Sequence, residues 1–326
     1  MPRFLLCALF ISAIILTCNT FTNGIEAIKT IYVGKSQSIQ AAINSVPSNN
    51  KNWICISVSA GVYKEKVVIP ANKPFIYLKG AGKDKTSVVW SDSSGTIFQM
   101  TTFSSIADNI LVQGITFVNG YNYPPSKNMN PVKVAVAARI SGDQSAFYSC
   151  GFSGYQDTLL DDKGKHYFKY CTIEGAVDFI FGNGQSIYEK CNILLNVGIP
   201  NPASTGYITA QARKNKYETG GFVFKMCNVY GKGHAFLGRA WYPYSRVIFY
   251  ASSLSNVIVP EGWQLWSRDE PKSTITFAEE RCKGAGSNKP KRVAWEKTLT
   301  RKEFKYFTSL SYIDNVGWIR RLPVRI

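Results

Sequence analysis

An all-β chain wound as a right-handed parallel β-helix, with a short N-terminal helix and an irregular, partly helical C-terminal tail, is the fold class that this sequence predicts. Three observations point there. A six-residue pattern (aromatic, two residues, Cys, one residue, apolar) recurs at residues 147–152 (FYSCGF), 168–173 (FKYCTI), 188–193 (YEKCNI) and 224–229 (FKMCNV). It recurs again at 249–254 (FYASSL), with Ser in the Cys slot. A repeat near 20 residues is the mark of stacked coils that bury their inward side chains against one another. Second, short runs rich in Val, Ile, Phe and Tyr (ICISV, KVVIP, FIYLKG, SVVWS, NILVQGITFVNG) alternate with Gly and Asn, as strands between turns do. Third, 326 residues exceed the usual single-core limit of about 250–300, yet no linker marks a second domain. A β-sandwich is the competing arrangement, but its tight Asn-Gly hairpin signals are scarce.

The elements follow in order. Residues 1–24 read as a secretory signal peptide: Arg3 supplies the positive charge, residues 4–16 an apolar run, and 17–22 (TCNTFT) a polar exit. That run is shorter than the roughly 20 residues of a membrane span, and no later segment is longer. The remainder, residues 25–326, reads as one domain, secreted and soluble. Residues 38–46 (SIQAAINSV) predict a short amphipathic helix with Ile39, Ile43 and Val46 on one face and Pro47 just beyond. The strand runs occupy the middle, and the mixed segment after Ser287 predicts short helix and irregular chain packed along the solenoid.

Composition narrows the function. With 45% hydrophobic residues and no three-residue Gly period, the chain is neither disordered nor collagen-like. Lys and Arg number 38 against 21 acidic residues, a formal charge of +17 that favours a polyanionic partner. For an exported protein an acidic polysaccharide is a better expectation than nucleic acid, since the basic residues are dispersed. Eight cysteines become six once Cys7 and Cys18 leave with the leader, and an oxidising compartment lets cysteines pair. No Asn-x-Ser/Thr sequon occurs.

The motifs that would signal a serine hydrolase, a zinc protease or a nucleotide-binding enzyme are absent, and the only histidines are His166 and His234. His166 reads as structural. No metal or cofactor is expected. Carboxylate chemistry remains. Asp157 lies in GYQDTL, and Asp178 lies in an otherwise apolar AVDFIFG, where an unpaired charge would be costly. Their 21-residue separation matches the repeat and predicts that the two acids stack on neighbouring coils. Arg239, flanked by apolar residues in LGRAW, is the cation expected to hold Asp178 ionised. A buried ion pair without catalysis accounts for each residue singly. With Gln156 and Trp241 beside them, a catalytic reading accounts for all of them.

These motifs, with GVYKE at 61–65, SGDQSAFYSCGFSGYQDTLL at 141–160, GKHYFKYCTIEGAVDFIFGNG at 164–184 and PEGWQLW at 260–266, resemble the plant pectinesterases (pectin methylesterases) over residues 28–318. The resemblance implies a right-handed parallel β-helix that hydrolyses the C6 methyl ester of homogalacturonan to pectate and methanol in the cell wall. It implies Asp178 as nucleophile and Asp157 as proton donor and then general base. It also implies Gln156 as oxyanion donor, Arg239 as the residue that orients and ionises Asp178, and Trp241 as a platform for a sugar ring. Disulfides Cys150–Cys171 and Cys191–Cys227 are implied in the same way, with Cys55 and Cys282 unassigned. So are a proteinaceous pectinesterase inhibitor as a partner, a monomer, and a short-type chain without the inhibitor-like pro-region.

The chain departs from the family pattern in several places. Val134 stands where the family carries a Gln that helps build the oxyanion site, and losing one such donor costs about 10²–10³ in turnover. Leu160 replaces an aromatic residue, and Ala240 replaces a Pro. Two alternatives to an active esterase follow. One is a pectin-binding β-helix protein with weak or absent catalysis because of Val134. The other is a glycosidase or lyase on the same solenoid, since paired carboxylates also serve glycoside hydrolysis.

Overall fold

The computed structural model describes residues 28–126, 131–199, 204–269 and 271–326. The predicted signal peptide lies outside them. The chain winds as a right-handed parallel β-helix of three sheets. Sheet A has ten strands, from Lys29–Val33 to Thr276–Glu280. Sheet B has eight, from Gly61–Tyr63 to Ser253–Leu254, and sheet C eight, from Val67–Ile69 to Trp263–Leu265. Each full coil visits A, then B, then C, and each strand pairs in parallel with its equivalent one coil away.

The repeat in the sequence is the coil itself. Its aromatic position forms a continuous column of face-to-face rings inside the solenoid. The centroids of Phe147, Phe168, Tyr188, Phe224 and Phe249 are separated in turn by 5.0, 4.6, 4.7 and 4.5 Å. The residue before the Cys slot turns the corner from sheet A to sheet B with a single left-handed residue: Ser149 (φ 50°), Tyr170 (55°), Lys190 (53°), Met226 (54°), Ala251 (49°) and Arg281 (54°). Non-glycine residues rarely adopt this conformation. Its recurrence at one corner shows that stacking of the coils holds it in place.

The cysteines of the repeat line the inside of that corner, and here the structure corrects the sequence reading. Cys150, Cys171, Cys191 and Cys227 are buried free thiols, not two disulfides, and Cys55 and Cys282 are free as well. Each Sγ in the column donates to a main-chain carbonyl of the preceding coil, Cys171 to Phe147 O at 3.3 Å and Cys227 to Tyr188 O at 3.2 Å. Ser252 fills the slot between Cys227 and Cys282 and makes the equivalent bond to Phe224 O at 3.2 Å. The slot selects a small side chain with one weak donor. Cys therefore recurs for packing rather than for pairing.

The helix predicted at 38–46 and the partly helical tail after Ser287 both form. Helix α1 (Ile39–Ser45) buries Ile39, Ala42 and Ile43. Its first turn is capped by Ser38 Oγ and by Glu65, which accepts from Ile39 N at 2.8 Å and Gln40 N at 3.2 Å, so the Glu of GVYKE is a cap supplied from the next coil. Val46 is extended ahead of Pro47, which ends the helix. Helix α2 (Arg301–Thr308) opens with a capping box between Thr300 and Glu303. The tail around it lays Phe304, Tyr312, Ile313 and Trp318 over the outer face of sheet A, against Tyr77, Leu111, Tyr167, Ile187, Val223 and Ile248. That face is covered, whereas the outer face of sheet C carries the predicted site.

Candidate active site

Asp157 and Asp178 occupy equivalent places on successive coils, because the register of sheet C pairs Leu159 with Ile180 and bridges Gln156 to Val177. The sequence predicts this stacking, but two local features that aim the acids are invisible in it. Both acids sit in left-handed backbone, Asp157 at φ 61° and Asp178 at φ 47°. Asp178 also lies in a β-bulge: against the neighbouring strand Thr205–Gln211 (Tyr207 and Thr209), the register slips by one residue between Val177 and Ile180. A bulge redirects a side chain that strict alternation would fix, and strained backbone of this kind concentrates at functional sites.

Arg239 comes from two coils further on, in strand His234–Ala240, and holds Asp178 with both arms of its guanidinium. Nε donates to Oδ1 at 2.9 Å and Nη2 to Oδ2. Its own position is set by two rings, Tyr207 at 4.1 Å and Trp266 at 4.0 Å from the guanidinium carbon. Tyr207 in turn stacks on Phe236 and donates to Gln264 Oε1. The sequence reading did not single out Tyr207, which no motif marks. Trp266 was visible only as the last residue of PEGWQLW.

The two acids have different electrostatics. Burial raises the Asp178 carboxyl, and the hydrogen bonds and charge of Arg239 oppose that rise without cancelling it. Asp157 has no such partner. Burial first, then the charge of Asp178, lift it to about 8, with Arg239 pulling weakly the other way. At neutral pH one member of the pair is therefore an acid holding its proton, beside a carboxylate gripped by a cation. Two carboxyls pushed apart by their surroundings are the usual sign of separate acid and nucleophile roles.

Trp241 lies at the edge of the same face, 6.1 Å from Phe181 and 6.2 Å from Trp266 between ring centroids. Gln156 is half-buried beside Asp157, and its carbonyl accepts from Ala135 N at 3.2 Å, which brings the 134–135 segment against it. Val134 is half-buried at the start of that segment. It packs with Ile97 and Trp241 onto an apolar cluster of Met100, Val136, Leu160, Phe181 and Ala210. Two departures from the family pattern, Val134 and Leu160, thus meet in one apolar patch on the floor of the groove.

His166 is structural, as expected. It is fully buried, with Nδ1 2.6 Å from Asp161 Oδ1 and Nε2 2.9 Å from Gly142 O. Tyr188 donates to the other oxygen of Asp161 at 2.7 Å. Asp161 ends strand Leu159–Asp161, two residues beyond Leu159, and no motif marks it in the sequence.

A parallel β-helix whose outer sheet displays an arginine-clasped carboxylate beside a neutral carboxyl defines an esterase of the aspartyl type. The pectinesterase family model matches residues 29–316. The chain is 49% identical to "Probable pectinesterase 29" of Arabidopsis thaliana, covering 97% of this chain and 98% of that protein. It is 51% identical to "Probable pectinesterase 55" of the same plant, covering 90% and 89%. Among solved structures it superimposes on the pectin methylesterase from carrot with a TM-score of 0.84 and 29% identity, over 91% of this chain and 96% of that one. This chain belongs to the pectinesterase family of carboxylic ester hydrolases.

Proposed function

We propose that the chain removes the methyl ester at C6 of galacturonosyl residues in homogalacturonan, with Asp178 as nucleophile and Asp157 as acid and then base. The observation that supports this is the pairing of an arginine-held Asp178 with an Asp157 raised to about 8. A carboxylate oxygen of Asp178 adds to the ester carbonyl, and the amide of Gln156 donates to the oxygen that gains charge. Collapse of the tetrahedral species breaks the C–OCH₃ bond. Asp157 gives its proton to the departing methoxide, so methanol leaves and an acyl–Asp178 anhydride remains. Asp157, now ionised, takes a proton from water. The hydroxide adds to the acyl carbon, and collapse returns Asp178 as carboxylate and the substrate as free acid. Arg239 stays bound to Asp178 throughout and offsets its charge in each resting state. Trp241, backed by the buried ring of Phe181, gives a flat surface for a sugar ring.

The leader-like residues 1–24 and the basic charge support secretion to the cell wall, where the protein would act as a monomer and meet the family's proteinaceous inhibitor. The test is methanol release from highly methylated pectin by the purified protein, with Asp178→Ala as control. Release that disappears in Asp178→Ala supports the mechanism. Release that persists in that variant rules out Asp178 as nucleophile.

A further inference from the structure

The corner between sheets A and B is the one corner of the three-sided coil that sheet C does not border, and its outer surface carries a cluster that the reaction does not use. Tyr170 stands there in left-handed backbone, 39% exposed. Its ring meets Tyr148 edge-on at 5.6 Å, with Lys169 and Lys190 Nζ 5.6 and 5.7 Å from its centre. One coil further, Lys225 continues the row, partly offset by Glu189 at 3.7 Å. Lys83, from the loop between strands Ile76–Lys79 and Thr86–Trp90, reaches across the coils and donates to Thr172 Oγ1 at 2.8 Å. Lysines thus outnumber the nearby carboxylate, and they advance with the coils at about 4.8 Å per step, close to the rise of one sugar along an extended glycan.

An exposed aromatic face framed by lysines suits a ring that carries a carboxylate: the apolar side of the sugar lies on tyrosine and the charge meets ammonium. We propose that this ridge is a second binding site for unesterified polygalacturonate, the product polymer, on a face remote from the catalytic groove. The choice of ligand rests on the esterase reading above. A lysine–tyrosine ridge facing away from the groove would tether the enzyme to demethylated stretches while leaving the groove open to methylated ones.

The test is calorimetric titration with an unesterified oligogalacturonate of about ten residues, using the full chain with Trp241→Ala to weaken the groove. Into that background go Lys169→Gln with Lys190→Gln, and separately Tyr170→Asn, which keeps a residue tolerant of left-handed backbone. The expected result is at least fivefold weaker binding in each ridge variant. Placed in the otherwise wild-type chain, the same changes leave methanol release from a short methylated oligomer unaltered and slow it on a pectin gel. Unchanged affinity in the ridge variants overturns the proposal, as does tighter binding of a DNA duplex than of the oligogalacturonate. Absence of methanol release from the wild type, with ridge binding still lost in the variants, refutes the esterase reading and leaves the ridge standing.

Discussion

Arg239 lies two coils beyond Asp178, yet it reaches across the intervening strand to hold both oxygens of that carboxylate. The reach works because Tyr207, on the strand between, and Trp266, just past the strand beyond, flank the guanidinium and leave its edge facing the acid. A planar fork is needed for that geometry. Arg239→Lys keeps the charge but loses the second hydrogen bond and both stacking contacts, so kcat/KM for methylated pectin should fall about 10²-fold. Activity within threefold of wild type would show that charge alone suffices.

The pH profile should be bell-shaped and shifted upward. The nucleophile must be ionised, and burial places the Asp178 carboxyl above its ordinary range, which sets the acidic limb. The acid must be protonated, and Asp157 at about 8 sets the alkaline limb. These limbs belong to the coupled pair rather than to either residue alone. An initial-rate profile flat from pH 5 to 10 would contradict the assignment.

The same shift has a stability counterpart. The fold favours neutral Asp157, so its contribution is fully present below the ordinary carboxylate value of about 4 and is lost as pH rises through about 8. Asp157→Asn should therefore stabilise the protein by about 2 kcal/mol at pH 9 and leave it unchanged near pH 4. Urea midpoints at the two pH values make the comparison.

His166 behaves oppositely. Both ring nitrogens face acceptors, the Asp161 carboxylate and the Gly142 carbonyl, so the ring is held as imidazolium. Burial alone would lower its pKa, but Asp161 and the carbonyl outweigh burial and raise it. Its stabilisation is fully present below about 6.5 and fades as pH climbs through the higher folded value. His166→Gln leaves Asp161 buried without its cation and should cost about 3–5 kcal/mol at pH 6, and less at pH 9. Equal losses at both values would mean that the ring is neutral.

Val134→Gln tests the missing oxyanion donor. The new amide enters a patch shared with Leu160 and Trp241, so it should cost about 1 kcal/mol of stability. Turnover should rise about tenfold, up to the 10²–10³ that such a donor is worth elsewhere. An unchanged kcat would mean that Gln156 suffices as donor in this groove.

Alkylation before reduction tests the free thiols, those of the column and Cys55 on the outer face of sheet A. All six of Cys55, Cys150, Cys171, Cys191, Cys227 and Cys282 should react in denaturant without any reductant, as read by mass spectrometry.

The coil was legible because its repeat places one aromatic, one Cys and one apolar residue at fixed offsets, and each has a fixed place inside the solenoid. The pairing implied by the resemblance for Cys150, Cys171, Cys191 and Cys227 does not form, because the stacked register supplies each thiol with a carbonyl. The acids and Arg239 were legible from charge set in apolar surroundings. The bulge at Asp178, the left-handed turn at Asp157 and the rings of Tyr207 and Trp266 were not. They depend on backbone geometry and on contacts between coils, neither of which leaves a local pattern.

The one-residue corner between sheets A and B also constrains where the chain can vary. From Cys191 to Cys227 the coil takes 36 residues instead of about 20. The surplus lies before and after strand Thr205–Gln211, on the two borders of sheet C. In this coil the added sequence enters beside the groove, while the corners at Lys190 and Met226 each keep a single left-handed residue. A coil built this way lengthens what it grips without retuning how it stacks.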